Sequence, residues 1–192
     1  MHVRNRTRLA WLATIVFLVL AVLPRDTANA AAGSAAPANA AGCGSALTQC
    51  TWTVLQWINH TRTQNGLPPL KLQEGQSHGT ASCVGAYGHS IAMARTGSIW
   101  HVNDSYPHAS FPQDICLNYT HAGENVGQAP GGNILHDLLV LHHMMMAQPH
   151  DRATCATIEN HACNILGPDF HQAGIGIYYA HGRAWLTESF VG

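Results

Sequence analysis

The segment 121–128 reads "HAGENVGQ" and places an isolated acidic residue, Glu124, among glycines and small polar residues. Acidic residues are scarce, since Asp and Glu together number 10 in 192 residues. Histidines are frequent, at 14 in the chain. A carboxylate near imidazoles supports metal binding or holds a histidine in one tautomer. The structural alternative is a loop carboxylate that accepts backbone N–H bonds around Gly123 and Gly127.

Other histidines raise weaker possibilities. His121 and Glu124 are three residues apart, but a glycine-rich loop does not force them onto one face. His136 and His143 are seven residues apart and share one face of a predicted helix, which we expect to be solvated. The run "HHMMM" at 142–146 indicates core packing by adaptable methionines, with a copper site as the alternative.

All six cysteines follow residue 30, and an even number in an exported chain indicates disulfides. Six cysteines allow fifteen pairings. We predict the local pair Cys155–Cys163, with Cys43–Cys50 and Cys83–Cys116 completing the set. The alternative is a metal cluster of Cys155, His161 and Cys163, which an oxidising compartment disfavours.

The beginning of the chain predicts export. Residues 1–30 combine a basic start, an apolar run from Leu9 to Leu23 and a small-residue cleavage site ending at Ala30, as in a signal peptide. A retained membrane anchor is the alternative, although the apolar run is short for a bilayer span. Residues 31–49 form an Ala/Gly/Pro-rich linker, and 50–192 form one domain. We therefore expect a secreted, extracellular protein that touches a membrane only through an uncleaved signal segment.

Removing residues 1–30 leaves five basic and nine acidic residues, so the net charge is 5 − 9 = −4 with neutral histidines. Thirteen of the histidines remain. The absence of a basic stripe argues against nucleic acid as a partner. The chain also has no glycine-rich phosphate loop and no G-x-S-x-G nucleophile motif.

Periodicity and turn residues predict a mixed domain. The predicted helices cover 50–65, Ser77 to Arg95, and a segment capped by Asn133 that ends near Ala147. Segments 98–132 and 149–162 are predicted as mostly loop. Strands at 173–179 and 184–190 are predicted to pair across a turn at His181–Gly182. These elements indicate an α+β layered fold.

Five motifs occur in order along the chain: "INHTRTQNGLPPL" (58–70), "GHSIAMARTGSIWH" (88–101), "GEN" (123–125), "NHACNILGPDFHQAGIGI" (160–177) and "AWLTESF" (184–190). Together they resemble the CAP superfamily of cysteine-rich secretory, antigen 5 and pathogenesis-related proteins, also called the SCP domain. The chain is similar to a bacterial, secreted member over about 50–190.

The resemblance implies a three-layer α-β-α sandwich with a small antiparallel sheet and a cleft lined by two histidines and two glutamates. His101 and His161 match the histidines, and Glu124 matches the first acid. The second acid position matches Gln148, so the resemblance implies a cleft with one carboxylate. His101, His161 and Glu124 are then the candidate metal ligands, for a weakly bound Zn²⁺.

The resemblance also implies the range of functions. We expect a secreted module that binds a divalent metal and an extracellular ligand, either a lipid or a protein. One alternative is a metal-assisted hydrolase of peptidase or esterase type with Glu124 as base. A sterol- or lipid-binding protein is another. Gln148 cannot act as a base, which argues against hydrolysis by paired carboxylates, and no catalytic residue is assigned.

Overall fold

A computed structural model describes residues 43, 47–80, 83–101, 116, 118–157 and 160–192. The predicted signal peptide at 1–30 and most of the linker at 31–49 lie outside these residues. Within the described part, no helix combines the length and apolar character needed to cross a bilayer.

The helices within the described residues are three longer and three short ones. They are α1 (Thr48–Gln64), α2 (Glu74–His78), α3 (Gly85–Thr96), α4 (Ile134–Met146), α5 (Arg152–Cys155) and α6 (His161–Ile165).

The sheet contains four strands, β1 (Lys71–Leu72), β2 (Ala122–Pro130), β3 (Gln172–Ala180) and β4 (Arg183–Val191). Their spatial order is β1-β3-β4-β2, with β1 parallel to β3 and the other pairs antiparallel. His181 and Gly182 join β3 to β4 with φ of 53° and 71°. Two consecutive positive φ angles suit the twist of a tight hairpin, and the predicted hairpin is confirmed.

The prediction of a loop for 98–132 is wrong over Ala122–Pro130. This segment forms β2 and pairs with β4 along its whole length, so that Glu124 faces Ser189 and Asn125 faces Glu188. Glycine and asparagine are poor strand formers in isolation. The pairing with β4 therefore outweighs local propensity, and it fixes the register of the acidic residue.

The single helix predicted from Ser77 to Arg95 is also wrong, because it is broken into α2 and α3. Gly79 directly follows α2 and Gly85 is the first residue of α3, with φ of 80° and 69°. A Cβ on Gly79 would lie 2.4 Å from the carbonyl oxygen of Val84. The predicted helix is therefore interrupted at these two glycines.

The remaining helix boundaries follow local signals. α1 agrees with its prediction, and Asn133 caps α4 by accepting a hydrogen bond from His136 N at 3.2 Å. The predicted loop at 149–162 contains α5 and the first residues of α6, which the sequence prediction missed. Both short helices have side-chain caps, Asp151 for α5 and Asn160 for α6.

The sheet is covered on both faces, which confirms the α+β fold class. Ile175 and Ile177 of β3 join the apolar core formed with α1 and α4. The alternate residues of β3 face the opposite layer, where α2 and α3 pack. A Cβ on Gly176 would lie 2.2 Å from the backbone carbon of Ala86, so the backbone of α3 lies directly on the sheet.

Three disulfides join the cysteines in the predicted pairs, Cys43–Cys50, Cys83–Cys116 and Cys155–Cys163. The last of these links α5 to α6. Because both of its sulfur atoms are consumed in this bond, the alternative metal cluster with His161 is excluded. Disulfides persist in oxidising compartments, consistent with export.

Candidate functional site

The carboxylate of Glu124 lies between two imidazoles. Glu124 is in β2 and is buried. Its Oε1 lies 3.1 Å from Nδ1 of His101, which follows α3, and its Oε2 lies 2.8 Å from Nδ1 of His89 within α3. The strand and the helix therefore converge on one acidic group.

The charge of this group follows from competing effects. Burial is the largest influence on the pKa of Glu124 and raises it, but the hydrogen bonds from His101 and His89, with the charges of both rings, outweigh burial and lower the pKa. An ionised carboxylate only accepts hydrogen bonds, so each Nδ1 carries the proton. In the neutral form of His101 the unprotonated nitrogen is then Nε2.

Gln148 performs the corresponding task for the other histidine. Its Oε1 accepts from the backbone N of His161 at 2.9 Å and lies 3.2 Å from Nδ1 of the same residue. An amide oxygen cannot donate, so the Nδ1 of His161 is the donor. The predicted replacement of a glutamate by Gln148 thus preserves the acceptor but removes its charge.

His161 is the first residue of α6, and Asn160 caps this helix by accepting from Cys163 N at 2.9 Å. Burial lowers the pKa of His161, the nearby charge of His101 lowers it further, and the backbone of Val126 acts in the opposite direction. The ring is therefore held as neutral imidazole, the form that binds metals.

Arg62 ties α1 to the segment that follows α6. Its guanidinium donates to the carbonyls of Pro68, Ile165, Gly167 and Phe170 at 2.8–3.1 Å, and the side chain is fully buried. The carbonyl of Ile165 belongs to the C-terminal turn of α6, where a cation is favourable. Arg62 therefore holds in place the helix that carries His161.

The structure brings all four predicted cleft residues together. The ring centroids of His101 and His161 are 6.1 Å apart. Both rings have Nδ1 directed to a supporting oxygen, which suits two-imidazole binding of zinc through Nε2. Glu124 directs its oxygens to His101 and His89, which is the arrangement of an orienting group. Across the described residues, no group of three or more His, Cys, Asp or Glu side chains is arranged to hold a metal.

Sequence reasoning missed four residues of this region. Asn125 donates from Nδ2 to the carbonyl of His161 at 3.2 Å and to Oε2 of Glu188 at 3.0 Å. Asn164 donates to the carbonyl of Glu124 at 3.1 Å and to Oδ1 of Asn125 at 3.0 Å. These amides connect β2 to α6 underneath the cleft.

The other missed residues, His89 and Glu188, had a detectable signal. His89 lies on the buried stripe of α3 between Ala86 and Met93. Leu186, Glu188 and Phe190 lie at every second position of β4, so all three side chains are on its core face. A polar residue at an inward position of an amphipathic element indicates a specific contact, because burial without a partner is costly.

Glu188 is an unusual carboxyl group. The side chain is fully buried, and burial raises its pKa to about 7 against the opposing hydrogen bond from Asn125. Oε1 has no hydrogen-bond partner among the described residues. Burial therefore favours the protonated, neutral form of this carboxyl group.

The structure places the other histidines that the sequence singled out in different surroundings. The Nδ1 of His121 lies 3.2 Å from Oγ1 of Thr120, while Glu124 faces the two other rings. In "HHMMM", His142 and Met145 are buried whereas Met144 is 65% exposed. Burial lowers the pKa of His142 to about 4, with His143 contributing, so this ring is a neutral member of the core.

Comparison with known proteins gives a likeness of fold. No family model matches the chain, and no curated protein matches it. Among solved structures, an extracellular SCP-domain protein from Bacillus anthracis is 21% identical over 75% of this chain and 42% of that chain, with a TM-score of 0.49. A cysteine-rich secretory protein from Staphylococcus aureus is 15% identical over 73% and 37%, with a TM-score of 0.48.

An outer surface protein from Borrelia burgdorferi is 11% identical and has a TM-score of 0.55, over 73% of this chain and 90% of that chain. At these identities the likeness is one of fold alone. The chain spans about two fifths of the length of the Bacillus and Staphylococcus proteins. The expected α-β-α layered fold is present in the described part of the chain.

Proposed function

We propose that this is a secreted CAP-type module whose cleft binds a divalent metal, most readily Zn²⁺, weakly through His101 and His161. The observation that carries the proposal is the matched orientation of the two rings. Each Nδ1 lies within hydrogen-bond distance of an oxygen acceptor, Glu124 in one case and Gln148 in the other, so a supporting group orients each ring. Two protein ligands leave the other coordination positions to water or an extracellular ligand, and this supports weak binding.

The same geometry disfavours the hydrolase alternative. A general base must reach the water that it deprotonates. Both oxygens of Glu124 lie within hydrogen-bond distance of imidazoles, and its pKa is lowered. Gln148 carries no basic group. A binding or interaction role therefore suits this donor set better than catalysis.

Zinc calorimetry on the purified exported protein tests the proposal. We expect saturable binding in the wild type and its loss in His101→Ala/His161→Ala. The matched control is His136→Ala/His181→Ala, which removes two exposed histidines outside the cleft. Equal heats in the wild type and the cleft variant would remove the metal from the proposal.

A further inference from the structure

His89 is a buried histidine beside the cleft. Its side chain is 0% exposed, compared with 35% for His101, and its Nδ1 is 2.8 Å from Oε2 of Glu124. It lies in α3, one residue before Ser90, whose Oγ donates to the carbonyl of Gly176 in β3 at 3.0 Å. The helix backbone and the buried ring are thus both fixed relative to the sheet.

We propose that His89 is a positioning residue, which holds the Glu124 carboxylate so that its other oxygen keeps His101 in the Nδ1–H tautomer. The inference deepens the proposed function, because the tautomer decides whether His101 presents Nε2 to a metal. His89 itself needs no contact with the metal.

The need for a second donor follows from the freedom of a carboxylate. The terminal torsion of a glutamate side chain has a broad, two-fold energy profile. His101 is more exposed and follows the end of α3, so its hydrogen bond alone is a weak restraint. A buried donor on the second oxygen removes that freedom, because turning the carboxylate would break the short bond to His89.

The surroundings of His89 make it a suitable anchor. Its ring centroid is 4.4 Å from that of Trp100, with the two planes tilted by 47°. Trp100 immediately precedes His101, so the buried ring also packs against the segment that carries the metal-binding histidine. On the other side, Asn164 holds the backbone carbonyl of Glu124 at 3.1 Å. The carboxylate is therefore fixed through both its side chain and its main chain.

The consequence for the cleft is chemical. With Glu124 fixed, the Nδ1 of His101 remains protonated, and in the neutral ring Nε2 is then the unprotonated nitrogen. Without the bond from His89, the carboxylate is held less firmly and His101 populates the opposite tautomer more, in which Nε2 carries the proton. Losing an outer-shell partner of a metal-binding histidine lowers metal affinity by about 10–100-fold.

Two substitutions separate hydrogen bonding from packing. His89→Phe retains a ring against Trp100 but cannot donate, whereas His89→Gln retains an N–H donor of similar reach. We expect zinc affinity to fall by about tenfold or more in His89→Phe and by less than about threefold in His89→Gln. Equal affinity in the wild type and His89→Phe, or equal losses in both variants, would overturn the inference.

A second measurement works without metal. Nitrogen-15 NMR of the metal-free wild type is expected to show His89 and His101 both protonated at Nδ1, and the His101 tautomers to mix in His89→Phe. This readout remains valid if zinc does not bind, which would overturn the proposed function alone. A wild-type His89 protonated only at Nε2 would overturn the inference on His89, even if His89→Phe fails to fold.

Discussion

Replacing Glu188 by glutamine is expected to stabilise the protein above neutral pH and to change little in acid. The carboxyl group is fully buried, and its pKa is raised from the ordinary value of 4.5 to about 7. Glutamine has nearly the shape of the protonated acid, and its amide oxygen can still accept the hydrogen bond from Asn125. The substitution therefore removes the ionisation while preserving the packing.

The sign follows from proton linkage. Between pH 4.5 and 7 the folded protein holds a proton on Glu188 that the unfolded chain has released, so the stability of the wild type falls as pH rises through this range. Each pKa unit corresponds to about 1.4 kcal/mol, and the raised pKa therefore costs about 3 kcal/mol once the pH exceeds 7. This cost is absent from the Glu188→Gln variant, because glutamine does not ionise.

Urea unfolding of both proteins at a series of pH values measures the effect. The difference in unfolding free energy is expected to grow from about 1 kcal/mol at pH 5 to about 3 kcal/mol at pH 8. The wild-type curve alone is not diagnostic, because the lowered pKa of His142 has the opposite effect: its stabilising contribution is lost as pH falls from 6.5 towards 4. Taking the difference between the unfolding free energies of the wild type and the Glu188→Gln variant at each pH removes the contribution of His142, which both proteins share.

Two results would refute the reasoning. Parallel curves would show that Glu188 ionises alike in the folded and unfolded chain, so that its burial has no energetic effect. A variant that is less stable at pH 8 would show that the folded protein uses the negative charge. Either outcome contradicts a buried carboxyl group with a raised pKa.

Three further substitutions test the supports of the cleft. Arg62→Met leaves buried carbonyls without their donor and is expected to lower the unfolding free energy by about 4 kcal/mol, measured in urea; a loss below about 1 kcal/mol would contradict the anchoring role. Gln148→Glu is expected to raise the pKa of His161 by about one unit and strengthen zinc binding, measured by NMR titration and calorimetry; an unchanged pKa would contradict direct support by residue 148. Gly176→Ala is expected to lower the unfolding free energy by about 2 kcal/mol or more because α3 lies against the glycine, whereas the control Gly132→Ala, in open space, should change it little; equal effects in urea would contradict close packing.

The sequence was sufficient for features that depend on local signals. The hairpin turn at His181–Gly182 and the cap at Asn133 are each determined by a few neighbouring residues. The sequence also predicts the cysteine pairs, because three disulfides that close short or plausible loops use all six cysteines. The cleft residues were predicted only through the family resemblance, since His101 and His161 are far apart in the chain and no local pattern relates them.

The sequence was insufficient where tertiary contacts decide. β2 has weak strand propensity and forms through its pairing with β4. No local sequence pattern predicts this pairing. The helical and strand patterns around His89 and Glu188 predict the elements but do not identify the buried partners of these two polar groups. Their partners, Glu124 and Asn125, lie in β2, which the sequence predicts as loop. The sequence therefore gives no basis for predicting either contact.

The position of β2 has a consequence for solubility. β2 is an edge strand, and an uncovered edge is a template for pairing with another chain. Here α6 lies against β2, and the side-chain amide of Asn164 donates a hydrogen bond to the backbone carbonyl of Glu124. The helix that supplies His161 thus also covers part of this edge. Damage that displaces α6, such as reduction of Cys155–Cys163, would expose an aggregation-prone edge at the same time as it dismantles the cleft.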